Sequence, residues 1–173
     1  SAFVGDNADL LLLREALREF VEGSAAKSVA ITQKLLAENP RMLDIWELQS
    51  QALAKQGKTD EALASLRKTI ELAPPGSTQY VVSFANHALQ MGKAEEARKH
   101  AELARSMGDP AGDEILARAC LALGDLAAAE AAARECLKSD RNRDKGLLVL
   151  AQVEARRGNL PKALEASNRV QEG

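Results

Sequence analysis

Large aromatic side chains are almost missing from this sequence. The 173 residues include one Trp, one Tyr and three Phe, 3% in all. Cysteine is nearly absent as well, and two residues cannot build a disulfide framework. No apolar run approaches the ~20 residues of a bilayer-spanning helix, which excludes membrane insertion through a helix. Basic residues are not in excess: 23 Lys and Arg face 25 Asp and Glu, for a net charge of −2. A strongly basic nucleic-acid binder is thereby excluded, since phosphate neutralisation needs clustered cations. The Ser1–Ala2 opening carries no secretory signal and resembles a trimmed end, so cytoplasmic and periplasmic locations both stay open.

What is present is alanine, at 32 positions. Hydrophobic residues make up 46% and charged residues 28%, a globular balance. A core without large rings must bring backbones close together. Alanine permits that between helices and has the highest helix propensity. Strand formers are scarce. The composition predicts an all-α fold.

Glycine punctuates the chain at 23, 57, 92, 124 and 158, with spacings of 34, 35, 32 and 34. Each lies in similar text: VEGSA, KQGKT, QMGKA, ALGDL, RRGNL. Glycine tolerates positive φ past a helix C-terminus and suits a tight helix-to-helix turn. Prolines at 40, 74–75 and 110 fall midway between, and the fourth such stop reads SDRNRD. Ten helices follow: 9–22, 25–38, 43–56, 59–72, 78–91, 94–107, 110–123, 126–139, 144–157 and 160–171. Small residues recur five positions after each turn glycine, at Ser28, Ala62, Ala97, Ala129 and Ala163. They read as packing positions that let the second helix of a pair lie close to the first.

Helix pairs of period 34 with these small residues resemble the tetratricopeptide repeat. The unit from Leu43 to Gly76 keeps most of the pattern, with Trp46, Leu53, Ala62, Leu66 and Pro74 in the Trp, Tyr, Ala, Phe and Pro places. Gln49 and Ser50 stand where that pattern has Leu-Gly. The resemblance covers residues 9–171. It implies a right-handed superhelical solenoid of about five antiparallel helix pairs, with units at about 9–42, 43–77, 78–109, 110–143 and 144–173. Residues 1–8 form an N-terminal leader or linker outside this single domain. The first helix of each pair is expected to line a concave face, a platform for a peptide or a partner's helix.

Little chemistry is visible. His87 and His100 are isolated, with no metal-ligand spacing. Cys120 and Cys136 sit at different heights of one helix pair, offset by on the order of 10 Å, beyond disulfide reach. They read as free core thiols. Asp60–Glu61 and Glu95–Glu96 open second helices, where carboxylates suit the helix dipole. No phosphate loop, HExxH or G-x-S-x-G motif occurs. Arg141–Asn142–Arg143 with Lys145 reads as a solvated turn. The chain is expected to be no enzyme, with no cofactor, no metal and no nucleic-acid partner.

The register assigns open faces. Leu10, Leu13, Arg14, Leu17 and Val21 come first, then Glu47, Leu48, Gln51 and Lys55. Gln79, Val82, Ser83, Asn86 and Gln90 follow in the third unit. Glu114, Ile115, Arg118 and Ala122 stand in the fourth, and Lys145, Leu148, Val149, Gln152 and Arg156 in the fifth. The partner-binding set taken from these is Leu13, Leu17, Glu47, Gln51, Asn86, Gln90, Arg118 and Gln152. It runs from apolar through amide to basic. Some similar proteins grip a chaperone's C-terminal carboxylate with Lys and Asn. Here Glu47 with Gln51, Ser83, and Ala111 with Ile115 hold those places, which argues against such a clamp.

The sequence therefore points to a non-catalytic scaffold that binds a peptide or helix in its groove. The alternative is an accessory domain excised from a larger chain of bacterial character, for example a sulfatase-like hydrolase. The apolar surface of Leu10, Leu13, Leu17, Phe20 and Val21 would then meet an upstream domain, or a second copy in a homodimer.

Overall fold

A computed structural model describes residues 7–171. Among the described residues there are ten helices: α1 (Asn7–Val21), α2 (Ala25–Glu38), α3 (Leu43–Lys55), α4 (Thr59–Leu72), α5 (Thr78–Gln90), α6 (Ala94–Ser106), α7 (Ala111–Leu123), α8 (Leu126–Cys136), α9 (Arg143–Arg156) and α10 (Leu160–Gln171). No strand occurs among these residues. The all-helical expectation is met, and most boundaries agree within two residues. The exception is α8, which stops at Cys136 rather than at 139. The chain beyond it folds into turns, with Leu137, Lys138 and Ser139 each bonded three residues back. Of the expected leader, residues 1–6 lie outside the described residues, and Asn7 already opens α1.

The recurring glycine has a structural cause. Gly57, Gly92, Gly124 and Gly158 take φ between 73° and 79°. In each case the next residue donates its N–H to the carbonyl five positions back. Lys58 reaches Leu53 at 3.0 Å, Lys93 reaches Ala88 at 2.8 Å, Asp125 reaches Cys120 at 3.0 Å and Asn159 reaches Glu154 at 2.8 Å. This closure satisfies carbonyls that the helix end would leave unpaired, and it needs a left-handed residue. Gly23 differs, because its φ is not positive. There the Glu19 carboxylate accepts from Ser24 N at 3.0 Å, and Ser24 Oγ caps α2 by accepting from Lys27 N.

The described residues fall into two compact units, one running to Tyr80 and the other starting at Val81. In the first, α1 packs on α2, α2 on α3 and α3 on α4. Its core includes Leu35, Leu36 and Ile45, with Leu12, Leu13, Ile31, Met42 and Trp46 packed around them. The Trp46 indole stays half-buried and donates Nε1–H to Pro40 O at 2.9 Å. A row of buried polar groups crosses three helices of this unit. Thr32 Oγ1 on α2 donates to Gln49 Oε1 on α3 at 3.3 Å, and Gln49 Nε2 donates to Ser65 Oγ on α4 at 3.2 Å. The residue in the pattern's Leu place thus fixes register by hydrogen bonding rather than by apolar contact.

The second unit takes most of α5 and all of α6 to α10. Its core is small-residue packing: Ala85, Ala101, Ala117, Ala129, Ala132 and Ala133 around Ile115, Leu116, Cys120, Leu121, Val149 and Val153. The one large ring, Phe84, lies 3.9 Å from the His100 ring, centroid to centroid. Close backbone approach is literal here. A Cβ on Gly112 would stand 2.6 Å from Arg105 N, and one on Gly146 would stand 2.7 Å from Ala133 O. Gly112 opens α7 against α6, and Gly146 opens α9 against α8. Only a hydrogen fits at either crossing.

Candidate partner-binding faces

Each first helix keeps one open strip. Counting back from the turn glycine, the strip occupies positions thirteen, ten, six and two. On α1 these are Leu10, Leu13, Leu17 and Val21. On α3 they are Asp44, Glu47, Gln51 and Lys55, and on α5 they are Gln79, Val82, Asn86 and Gln90. On α7 they are Ala111, Glu114, Arg118 and Ala122, and on α9 Lys145, Leu148, Gln152 and Arg156. The steps of three and four residues keep the strip on one ridge. Of the expected partner-binding residues, Leu17, Gln51, Gln90, Arg118 and Gln152 are exposed, and Leu13, Glu47 and Asn86 are half-buried.

Three residues expected on the open face are buried instead. Leu48 is 6% exposed, Ile115 0% and Val149 5%. All three stand nine residues before their turn glycine, about 100° around the helix from the strip. Each of α3, α7 and α9 is covered by the second helices before and after it, so its open ridge is narrow. Glu114 is also buried, but it stays on the strip through charge pairing. Arg118 Nη1 donates to its Oε1 at 2.9 Å, and Lys145 Nζ to its Oε2 at 3.4 Å. Within the expected solvated turn, Asn142 is buried and donates Nδ2–H to Pro110 O at 2.9 Å.

In the first unit, α1 presents an aliphatic strip: Leu10 is 48% exposed, Leu17 46% and Val21 70%. Lys55 bridges from α3, donating to Phe20 O at 2.6 Å with its ammonium 3.9 Å above the Phe20 ring. In the second unit, Arg156 makes the matching bond to Leu121 O at the end of α7. A cation two residues before the turn glycine thus caps the C-terminal carbonyls of the preceding first helix in both units.

The chemistry of the interior is quiet. Cys120 and Cys136 are free and buried, as their spacing implies. Burial, with Asp113 and Glu114 nearby, pushes the Cys136 thiol up to about 11, and burial raises Cys120 as well. Glu130 is held below the usual carboxylate range by its hydrogen bond from Arg157, at 2.6 Å, and by Arg134. Burial raises Asp113 despite Arg105 at 3.0 Å. Among the described residues no three His, Cys, Asp or Glu side chains gather as a metal set, and no helix is long and apolar enough to cross a membrane.

The architecture is shared with solved structures. MamA from Desulfovibrio magneticus RS-1, residues 41 to the end, superposes with a TM-score of 0.74 at 17% identity, covering 96% of this chain and 95% of that one. Another MamA crystal structure gives 0.73 at 12% identity, with 95% and 90% covered. PilW, described as a widely conserved type IV pilus biogenesis factor, gives 0.69 at 14% identity, with 98% and 80% covered. At these identities the likeness is one of fold. No curated protein matches the sequence. The tetratricopeptide repeat profile matches residues 13–77, 82–144 and 116–172, most of the length, and the chain belongs to the tetratricopeptide repeat family.

Proposed function

We propose that the chain is a non-catalytic protein-interaction scaffold that holds a peptide or helix of its partner along the open strips of its first helices. The tetratricopeptide fold suggests such a role. The observation that carries the reading is the division of labour along each first helix. Positions that match the repeat pattern, such as Leu53, Ala85, Ala117 and Cys120, are buried at 0–3% exposure. The strip residues Leu17, Gln51, Gln90, Arg118 and Gln152 remain open on rigid helices. Amides there offer both donor and acceptor to a peptide backbone.

The test is retention of partners from source lysate by wild type and by a strip variant that combines Leu17→Glu with Arg118→Gln. Partners kept by wild type and lost by the variant support the reading. Partners retained equally by both overturn it.

A further inference from the structure

The charges on α7 and α9, within the second unit, indicate the chemistry of the partner. These neighbouring first helices place three cations, Arg118, Lys145 and Arg156, around one anion, Glu114. The strip therefore carries a surplus of +2 on a chain whose net charge is −2. Both oxygens of Glu114 are already taken, by Arg118 at 2.9 Å and by Lys145 at 3.4 Å. Its side chain is 9% exposed, whereas those of Arg118 and Lys145 are 43% and 55% exposed. A guanidinium has five N–H donors and an ammonium three. Each cation is thus held in place by one bond and still presents donors outward. Fixing long side chains beforehand lowers the ordering cost when a ligand arrives. Leu148, 47% exposed, lies between Lys145 and Arg156 on the same ridge.

We propose that this face takes a short, extended, acidic segment of a partner protein, with acid, aliphatic and acid side chains at alternate positions. The proposal rests on the strip reading above and names its ligand chemistry. From Lys145 to Arg156 the helix rises roughly 16 Å. An extended chain covers that in about five residues, and its alternate side chains face the same way. One acid then meets Lys145 and Arg118, the aliphatic side chain covers Leu148, and the second acid meets Arg156. A nucleic acid fits less well, because three cations give few phosphate contacts and the strip has no aromatic ring for a base to stack on.

The probe is a fluorescein-labelled peptide with Glu, Leu and Glu at alternate positions in a Gly/Ser background, followed by anisotropy against the full chain. The controls are the same peptide with Lys for Glu and a single-stranded oligonucleotide. The expected result is binding of the acidic peptide that weakens with salt. It should fall about tenfold in Arg118→Gln with Lys145→Gln, the loss of roughly 1.4 kcal/mol of charge-assisted contact. Leu148→Ser, at an exposed site, should weaken it too and keeps the test standing if the double variant unfolds. No binding of the acidic peptide, or tighter binding of the Lys peptide or the oligonucleotide, overturns the inference. A random peptide selection on the same protein separates the two levels. Acidic selected peptides sensitive to these variants support the inference. Selected peptides sensitive only to Leu17→Glu overturn it and leave the strip reading standing. A selection that yields no binder overturns both.

Discussion

Lys55 and Phe20 are joined twice: the ammonium donates to the Phe20 carbonyl at 2.6 Å and sits 3.9 Å above the centroid of the same residue's ring. One charge therefore serves the C-terminal end of α1 and the face of its last aromatic. Lys55→Met keeps the aliphatic stem and removes both interactions. At an exposed site the loss should be about 0.5–1 kcal/mol, read as a lower urea midpoint with an unchanged slope. Arg156→Met should lower the midpoint as well, because Leu121 O then keeps only the Gly124 N–H. Unchanged midpoints in both variants would contradict the shared capping role.

The buried polar row makes opposite predictions for neighbouring hydroxyls. Gln49→Ala removes the bonds that join the three helices, leaving Thr32 Oγ1 with Val29 O and Ser65 Oγ with Glu61 O on their own helices, and should cost about 1–3 kcal/mol. Ser28 is fully buried, and its Oγ has no hydrogen-bond partner among the described residues. Ser28→Ala restores the residue found at Ala62, Ala97 and Ala129, and it should stabilise by about 1 kcal/mol. Chemical denaturation distinguishes them: destabilisation by Ser28→Ala would show that the hydroxyl is satisfied in solution.

The glycines at helix crossings should tolerate no methyl group. Gly112→Ala and Gly146→Ala each drive a Cβ to within 3 Å of neighbouring backbone. Each should cost about 1–3 kcal/mol by overpacking. Thermal unfolding of either variant at the wild-type temperature would refute the close approach.

The thiols predict an alkaline limit. A raised folded pKa means that the native state keeps the Cys136 proton longer than the unfolded chain does. Stability is then insensitive to Cys136 below the unfolded thiol value of about 8.5, and it falls as pH rises from there toward about 11. Cys136→Ala should flatten that fall. Neither thiol should react with a disulfide reagent at pH 8 until the chain unfolds. Rapid native-state labelling would contradict the burial of both.

Glu130 predicts the acid side. Its folded pKa is depressed by Arg157 and Arg134, so its contribution is present above the usual carboxylate range and disappears as pH falls through the folded value. Glu130→Gln should therefore reduce the stability gap between neutral and acid pH. An unaltered acid profile would rule out the pairing as a source of stability.

How much of this was legible in sequence depended on whether a residue's role is local. Four of the five turn glycines, Gly57, Gly92, Gly124 and Gly158, are read easily, because each takes a left-handed φ where the repeat turns. Gly112 and Gly146 carried the same signal, 34 residues apart, but their cause is a neighbouring helix rather than their own backbone. The burial of Leu48, Ile115 and Val149 was hidden for a related reason. Which ridge of an amphipathic helix stays open is set by the helices stacked on either side, and one residue of phase moves a side chain about 100°. The Thr32–Gln49–Ser65 row and the buried Glu114 were also illegible, since polar residues read as surface until their partners on other helices are known.

The most direct test places a photo-crosslinking amino acid at Gln51 and Gln152 on first-helix strips, and at Lys99 and Ala131 on exposed sites of second helices. The account predicts crosslinks to a partner from Gln51 or Gln152, with little from Lys99 or Ala131. Crosslinks confined to Lys99 and Ala131 would contradict it and move binding to the second helices.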